Sequence, residues 1–260
     1  MDILSYNREA WNRQSRTGSR WCTPVSPQTI SDARKGKWDI VLTPNKNVPK
    51  TWFGDITGKD LLCLASGGGQ QAPILSAAGA NVTSFDNSDE QLAKDTLVAD
   101  RENLTIRTER GDMADLSRFA DESFDVIFHP VSNVFAEKIR PVWKECYRVL
   151  RPGGRLLSGF MNPCFYLFDQ DEALETGKLE VKYSLPFSDT KSLPPDKLRE
   201  IQEKGYAYEF SHSIEDQIGG QTAAGLLIQD LYEDNWNNEA SELNKYSPMY
   251  ISTLARKLPI

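Results

Sequence analysis

The sequence predicts an α/β fold, a doubly wound and mostly parallel sheet, and three observations carry that prediction. The first is Leu61-Leu-Cys-Leu-Ala65-Ser-Gly-Gly-Gly69, an apolar run short enough for a buried strand, ending in glycines that let the backbone turn beside something bulky. The second is Asp86, which closes the next apolar run, 82–85, seventeen residues past Gly69. The third is the alternation of strand-like and helix-like segments from 60 to 160, the pattern of a parallel sheet covered on both faces.

Residues 1–55 come before the first strand and read as an N-terminal cap segment, with 56–260 as the main domain. Positions 5–14 suit a helix with Tyr6, Ala10 and Trp11 near one face, and Ser26 as N-cap, Pro27 at the first helical position and Gly36 as stop suit a second. Trp21, Trp38, Trp52 and Phe53 cluster around them. Such rings either fasten a segment to the core or cover the glycine loop, and the sequence leaves both readings open.

After the glycines, 70–78 reads as a helix stopped by Gly79. A strand, a glycine turn and a helix aim unpaired N–H groups and the positive end of a helix dipole at one point above the sheet edge, where a nucleotide-like ligand fits. Gly67-Gly-Gly69-Gln-Gln-Ala72 has the GxGxxA form, and a carboxylate such as Asp86 at the second strand end lies beside that loop, in reach of ribose hydroxyls.

Ser88-Asp-Glu-Gln91 is a capping box, with the serine capping the helix start and the glutamine reaching back, and it launches a helix to about Arg101. A third strand, 104–109, ends at Gly111-Asp112-Met113, and a fourth, 124–129, ends at Pro130-Val-Ser-Asn133. A helix over 139–150 follows, and Arg151-Pro-Gly-Gly154 turns into a fifth strand, 155–160. Residues 161–212 break the rhythm and read as an insertion, with strands at 180–183 and 206–210 flanking a helix at 196–204. Leaving from the carboxyl end of a strand, it suits substrate loops or, equally, a homodimer contact. A helix over 213–224, weakened by Gly219-Gly220, precedes two strands, 226–233 and 249–257, that pair as an antiparallel hairpin.

Composition narrows the partners. At 260 residues, the chain can bury one substantial core, and 39% apolar with 26% charged residues is ordinary for a globular protein. A net charge of -7 argues against nucleic acid, which is bound through clustered Lys and Arg. Four cysteines without a CxxC pair and only two histidines point away from a metal site. With no apolar run of ~18 residues and no leader-like start, a cytoplasmic, reduced protein without membrane contact is expected.

Taken together, these motifs resemble a class I S-adenosylmethionine-dependent methyltransferase of the small-molecule group, over 56–160 and 213–257. The resemblance implies a Rossmann-like methyltransferase fold of seven strands, ordered 3-2-1-4-5-7-6 with strand 7 antiparallel, and S-adenosylmethionine as cofactor. It implies that the Ala65, Ser66, Gly67, Gly68 and Gly69 backbone meets the methionine moiety. By the same resemblance Asp86, with Asn87 and Gln91 beside it, serves the ribose end, Asp112 and Met113 the adenine, and His129 and Val131 the sulfonium and amino acid portion.

Two positions depart from the family: Cys63 stands where an acidic residue is usual, and Ala65 where glycine is usual. In-line methyl transfer mainly requires alignment and exclusion of water, so a base is optional, and His129 is either the candidate for one or a hydrogen-bonding residue that shapes the loop. His129-Pro-Val-Ser132 lacks the Asn/Asp-Pro-Pro-aromatic order of the enzymes that methylate nucleic acid amines, which lowers nucleic acid as acceptor, and a small-molecule acceptor is what the resemblance implies. An NAD(P)-dependent oxidoreductase is the competing enzyme class, disfavoured by Gly111-Asp112-Met113, the Arg-Pro-Gly-Gly turn and the closing hairpin. A protein that binds the cofactor without turnover is a third class, left open by Cys63.

Overall fold

A computed structural model describes residues 2–237 and 239–259. The seven strands are β1 (Asp60–Leu64), β2 (Asn81–Asp86), β3 (Ile106–Arg110), β4 (Phe124–His129), β5 (Leu150–Met161), β6 (Leu226–Asp234) and β7 (Tyr250–Lys257). They form one sheet in the order β3-β2-β1-β4-β5-β7-β6, as expected. β1 to β5 pair in parallel, and β7 runs antiparallel between β5 and β6. Because β7 is reversed, its first residue, Tyr250, lies opposite Met161, the last of β5, so both stand at the edge where the parallel strands end.

Leu61 to Leu64 are fully buried because β1 is central and covered on both faces, which is why it reads as a continuous apolar run. On one face the core gathers Leu61, Cys63 and Phe128 with the N-terminal segment and α4 (Gln71–Ala77). On the other, Leu62, Leu64 and Ile127 pack on Trp143 and Val142 of α6 (Arg140–Val149). The N-terminal segment supplies α1 (Ile3–Thr17), α2 (Pro27–Ala33) and α3 (Lys50–Phe53). Ser26 caps α2 with Pro27 in the first turn, as read from the sequence. α5 (Asp89–Glu102) begins where the Ser88 hydroxyl accepts the Gln91 N–H at 3.1 Å.

The insertion departs from the expected strands. Its helices are α7 (Gln170–Thr176), α8 (Asp189–Ser192) and α9 (Pro195–Lys204), while 180–183 and 206–210 make only single bridges, Phe168 to Val181 and Ser188 to Phe210. Those backbones bond to loops and side chains instead, for example Phe210 N to Val134 O, so tertiary contacts take the place of a ladder. The expected helix at 213–224 is real but wider in its middle: a π turn at Glu215–Gly219 precedes α10 (Gly220–Ala223). A Cβ on Gly220 would stand 2.7 Å from the Trp143 ring, so the glycine that weakens this helix is what lets it reach the core. β5 also starts earlier than expected, at Leu150, with the Arg-Pro-Gly-Gly stretch forming a register shift against β4 rather than a separate turn.

Candidate active site

A cavity of about 290 Å³ opens at the carboxyl ends of β1, β2 and β4, between the sheet edge, α1 and the insertion. One end is built by Ala65, Ser66, Gly67, Asp86, Asn87, Gln91, Asp112 and Met113. The Asp86 carboxylate accepts the Gly67 N–H at 3.0 Å through one oxygen and the Ser88 N–H at 2.9 Å through the other, which fixes its plane at the lip of the loop. Burial pushes its pKa up, against those two bonds. Asp112 is held by the Ala114 N–H, and the turn after it is tied to α6 by Arg148, which donates to the Leu116 and Phe119 carbonyls. Val131 lines the cavity floor and donates its N–H to the Leu42 carbonyl.

The glycine loop is held from below by a residue that the motif reading missed. Asp95 on α5 is fully buried, accepting the Gly69 N–H at 2.7 Å through one oxygen and the Ser84 hydroxyl at 2.6 Å through the other. Burial raises its pKa to about 7, with the charge of Asp86 adding to the rise. Cys63, whose thiol is pushed far up by burial, lies close enough to feel the Asp95 charge. Asp95 falls in the apolar stripe Leu92, Val98 and Ala99, and a charge on the buried face of an amphipathic helix was the signal that could have found it.

Six expected positions are corrected. His129 does not reach the cavity: it follows Ile127 on the α6 face, fully buried, with Nδ1–H donating to the Leu64 carbonyl at 2.9 Å and its ring edge-on to Trp143 at 6.0 Å. Burial lowers its pKa to about 4, which suits a neutral imidazole and not a base at the cofactor. Gly68 and Gly69 sit behind the loop, where Gly68 N bonds to the Gln91 carbonyl and Gly69 O accepts from Val25. The Gln91 side chain does not reach back to complete a capping box, and its Oε1 is buried without a partner. Trp52 and Tyr6 do not line the cavity: Trp52 is buried against Tyr232, and Tyr6 stacks on Tyr208.

Aromatics of the N-terminal segment therefore divide. Trp38, Trp52 and Phe53 join the core, whereas Trp11 and Trp21 line the cavity. Gln70 bonds the Arg20 and Thr23 carbonyls, and a Cβ on Gly68 would stand 2.5 Å from the Trp21 carbonyl, so this segment lies directly on the loop. A second crossing, at Leu42 to Pro44, is pinned by buried Asp234, which accepts from the Thr43 hydroxyl at 2.7 Å and from two backbone N–H groups. Neither that crossing nor the far end of the cavity, with Phe165, Glu209, Trp236 and Tyr250, was picked out from the sequence.

Comparison with known proteins agrees with this geometry. The family described as "Methyltransferase domain" matches residues 62–158. An uncharacterized methyltransferase, YbaJ, of Bacillus subtilis is 50% identical over 256 residues, covering 98% of this chain and 99% of that protein. The chain belongs to the class I S-adenosylmethionine-dependent methyltransferases. A sterol 24-C-methyltransferase of Aspergillus fumigatus shares 36% identity over 89 residues, only 34% of this chain and 23% of that one. A solved S-adenosylmethionine-dependent methyltransferase from Mesorhizobium loti superposes with a TM-score of 0.58 at 16% identity, over 80% of this chain and 94% of that one, which shows a common fold.

The residues present fit this methyltransferase's cofactor. Ser66 Oγ and Gln91 Oε1 are buried polar atoms without partners among the described residues, and both residues line the cavity beside Asp86. Such orphaned atoms are costly in the apo protein and are satisfied by a polar ligand. No group of three or more His, Cys, Asp or Glu side chains among the described residues is arranged to hold a metal ion.

Proposed function

We propose that this methyltransferase acts on a small molecule that enters the cavity opposite the glycine loop. The observation that carries the reading is the two-ended lining of this cavity: a polar loop end and an aromatic end, closed by residues from outside the sheet. S-adenosylmethionine supplies a methyl group on a sulfonium, a carbon already activated toward a nucleophile. Asp86 accepts from the ribose hydroxyls, Asp112 and the Met113 backbone serve the adenine, and Ala65 to Gly67 with Val131 meet the methionine portion. Gly68, Gly69 and Asp95 hold that loop in shape without touching the ligand.

Residues 1–55 and the 161–212 insertion act as the cap. Asn7 of α1 joins the two, accepting the Tyr208 N–H at 2.8 Å and donating to the Tyr208 and Phe135 carbonyls. Apolar walls from Trp11, Phe135 and Phe165 exclude water that would compete with the acceptor. The sterol-methylating activity named for one partial relative supports an acceptor with a substantial apolar body. No buried imidazole is required as a base.

Thermal unfolding with S-adenosylhomocysteine and, in parallel, NAD tests the reading, because a ligand of the native state stabilises it. A shift with S-adenosylhomocysteine alone is expected. Stabilisation by NAD instead would overturn it.

A further inference from the structure

The cavity is lined by three charged side chains, Asp86, Asp112 and Glu209, and by no Lys, Arg or His among the described residues. Asp86 and Asp112 belong to the loop end. Glu209 stands at the aromatic end, and the proposed cofactor contacts leave it without a task.

Its surroundings are built for one. The Glu209 backbone N–H is fixed on the Asp189 carboxylate at 2.7 Å, and one carboxylate oxygen accepts the buried Tyr166 hydroxyl at 2.7 Å. The other oxygen has no hydrogen-bond partner among the described residues, and no cation pairs with the group. Burial raises the pKa of Glu209, so its charge is held at a cost that a cation beside it would offset.

An independent observation points to the same place. Tyr250 is 2% exposed and lines the cavity, yet its hydroxyl makes no hydrogen bond among the described residues. Its ring lies 5.9 Å from that of Trp236, and Trp236 lies 5.8 Å from Trp21. On the outer side these two indoles already carry a cation: the Arg20 guanidinium sits 4.3 Å from the Trp21 ring and 5.2 Å from Trp236.

We propose that the aromatic end of the cavity selects an acceptor bearing a basic nitrogen on an apolar body, with Glu209 receiving the protonated nitrogen and Tyr250 its remaining hydrogen-bonding capacity. Carboxylate- and phosphate-bearing acceptors are excluded by the same charge, since nothing in the lining would neutralise them. This rests on the small-molecule methyltransferase reading above, and deepens it by naming the acceptor class.

Phenethylamine and 3-phenylpropionate share a ring and differ in charge, so titrating each by calorimetry reads the selectivity directly. Titrations are run with and without saturating S-adenosylhomocysteine. The expected result is that phenethylamine binds about tenfold or more tightly than 3-phenylpropionate. Glu209→Gln removes that preference while leaving the affinity for S-adenosylhomocysteine unchanged. Tyr250→Phe, which deletes only the unpaired hydroxyl, weakens phenethylamine severalfold and carries the test if Glu209→Gln fails to fold by circular dichroism. No preference for the amine in the wild-type protein, binding of neither probe, or a preference that survives both variants would overturn the proposal. A wild-type protein that ignores S-adenosylhomocysteine would instead defeat the cofactor reading, and the cofactor-free titrations would still judge Glu209.

Discussion

Replacing Asp95 by asparagine and by alanine separates the two things this carboxylate does, accepting hydrogen bonds under the glycine loop and carrying a buried charge. In Asp95→Ala the Gly69 N–H and the Ser84 hydroxyl both lose a buried acceptor. Each unmet group costs about 1–3 kcal/mol, so a loss of about 1–3 kcal/mol is expected at pH 5 once the hydroxyl has turned to another partner and only the Gly69 N–H stays unmet. Asp95→Asn keeps an acceptor for Gly69 and removes the charge.

The pH dependence has a definite sign. With the folded pKa raised from 3.8 to about 7, the folded state holds a proton between those values that the unfolded state has lost. The contribution to stability is therefore full below about pH 4 and lost as pH rises through 7, by at most about 4 kcal/mol for this group alone. His129 works in the opposite direction, since a folded pKa of about 4 makes stability rise between that value and 6.5. It is common to both proteins and cancels in the difference between wild type and Asp95→Asn. Urea unfolding of both from pH 4.5 to 8 should show wild type losing ground to Asp95→Asn as pH rises. Parallel curves, or an alanine variant as stable as wild type at pH 5, would refute the argument.

Three further outcomes follow from the same geometry. Gly67→Val should abolish S-adenosylhomocysteine binding measured by calorimetry, because even a Cβ there stands 2.8 Å from the Gln91 Cβ and 3.2 Å from an Asp86 oxygen, displacing the carboxylate itself. Ala65→Gly should raise stability by about 0.5–1 kcal/mol in urea titrations. Ala65 is held at φ 48°, where a side chain costs about 1–2 kcal/mol, partly offset by the greater freedom of glycine when unfolded. Hydrogen exchange with S-adenosylhomocysteine should show protection gained in α1 and in 161–212 as well as at the loop, and protection confined to the loop would remove their role as a cap.

Ala65 also illustrates what could be read from sequence and what could not. Its departure from the usual glycine was visible, and the left-handed backbone that makes the departure matter was not. The strand and helix alternation and the Asp86 position were legible because strand period, turn glycines and spacing are local signals that the buried sheet does not override, whereas the strand order came from the family resemblance. His129 was misplaced because a strand end offers two faces, and a one-residue alternation decides between cavity and core. The apparent strands of the insertion failed for a related reason, since their apolar residues pack on loops rather than into a ladder. Glu209, Trp236 and Tyr250 come from three separated segments, and only the reversal of β7 and the folding of the insertion bring them to one wall. Asp95 alone among the missed residues left a local trace, a carboxylate in an apolar stripe.

The central claim, that the cavity holds S-adenosylmethionine with its ribose on Asp86, is tested most directly by titrating S-adenosylhomocysteine into wild type and Asp86→Ala. Loss of a charge-assisted pair of hydrogen bonds costs about 1.5–3 kcal/mol, so the variant should bind ten- to a hundredfold more weakly while keeping its circular dichroism spectrum. A folded Asp86→Ala protein that binds with wild-type affinity would contradict the claim.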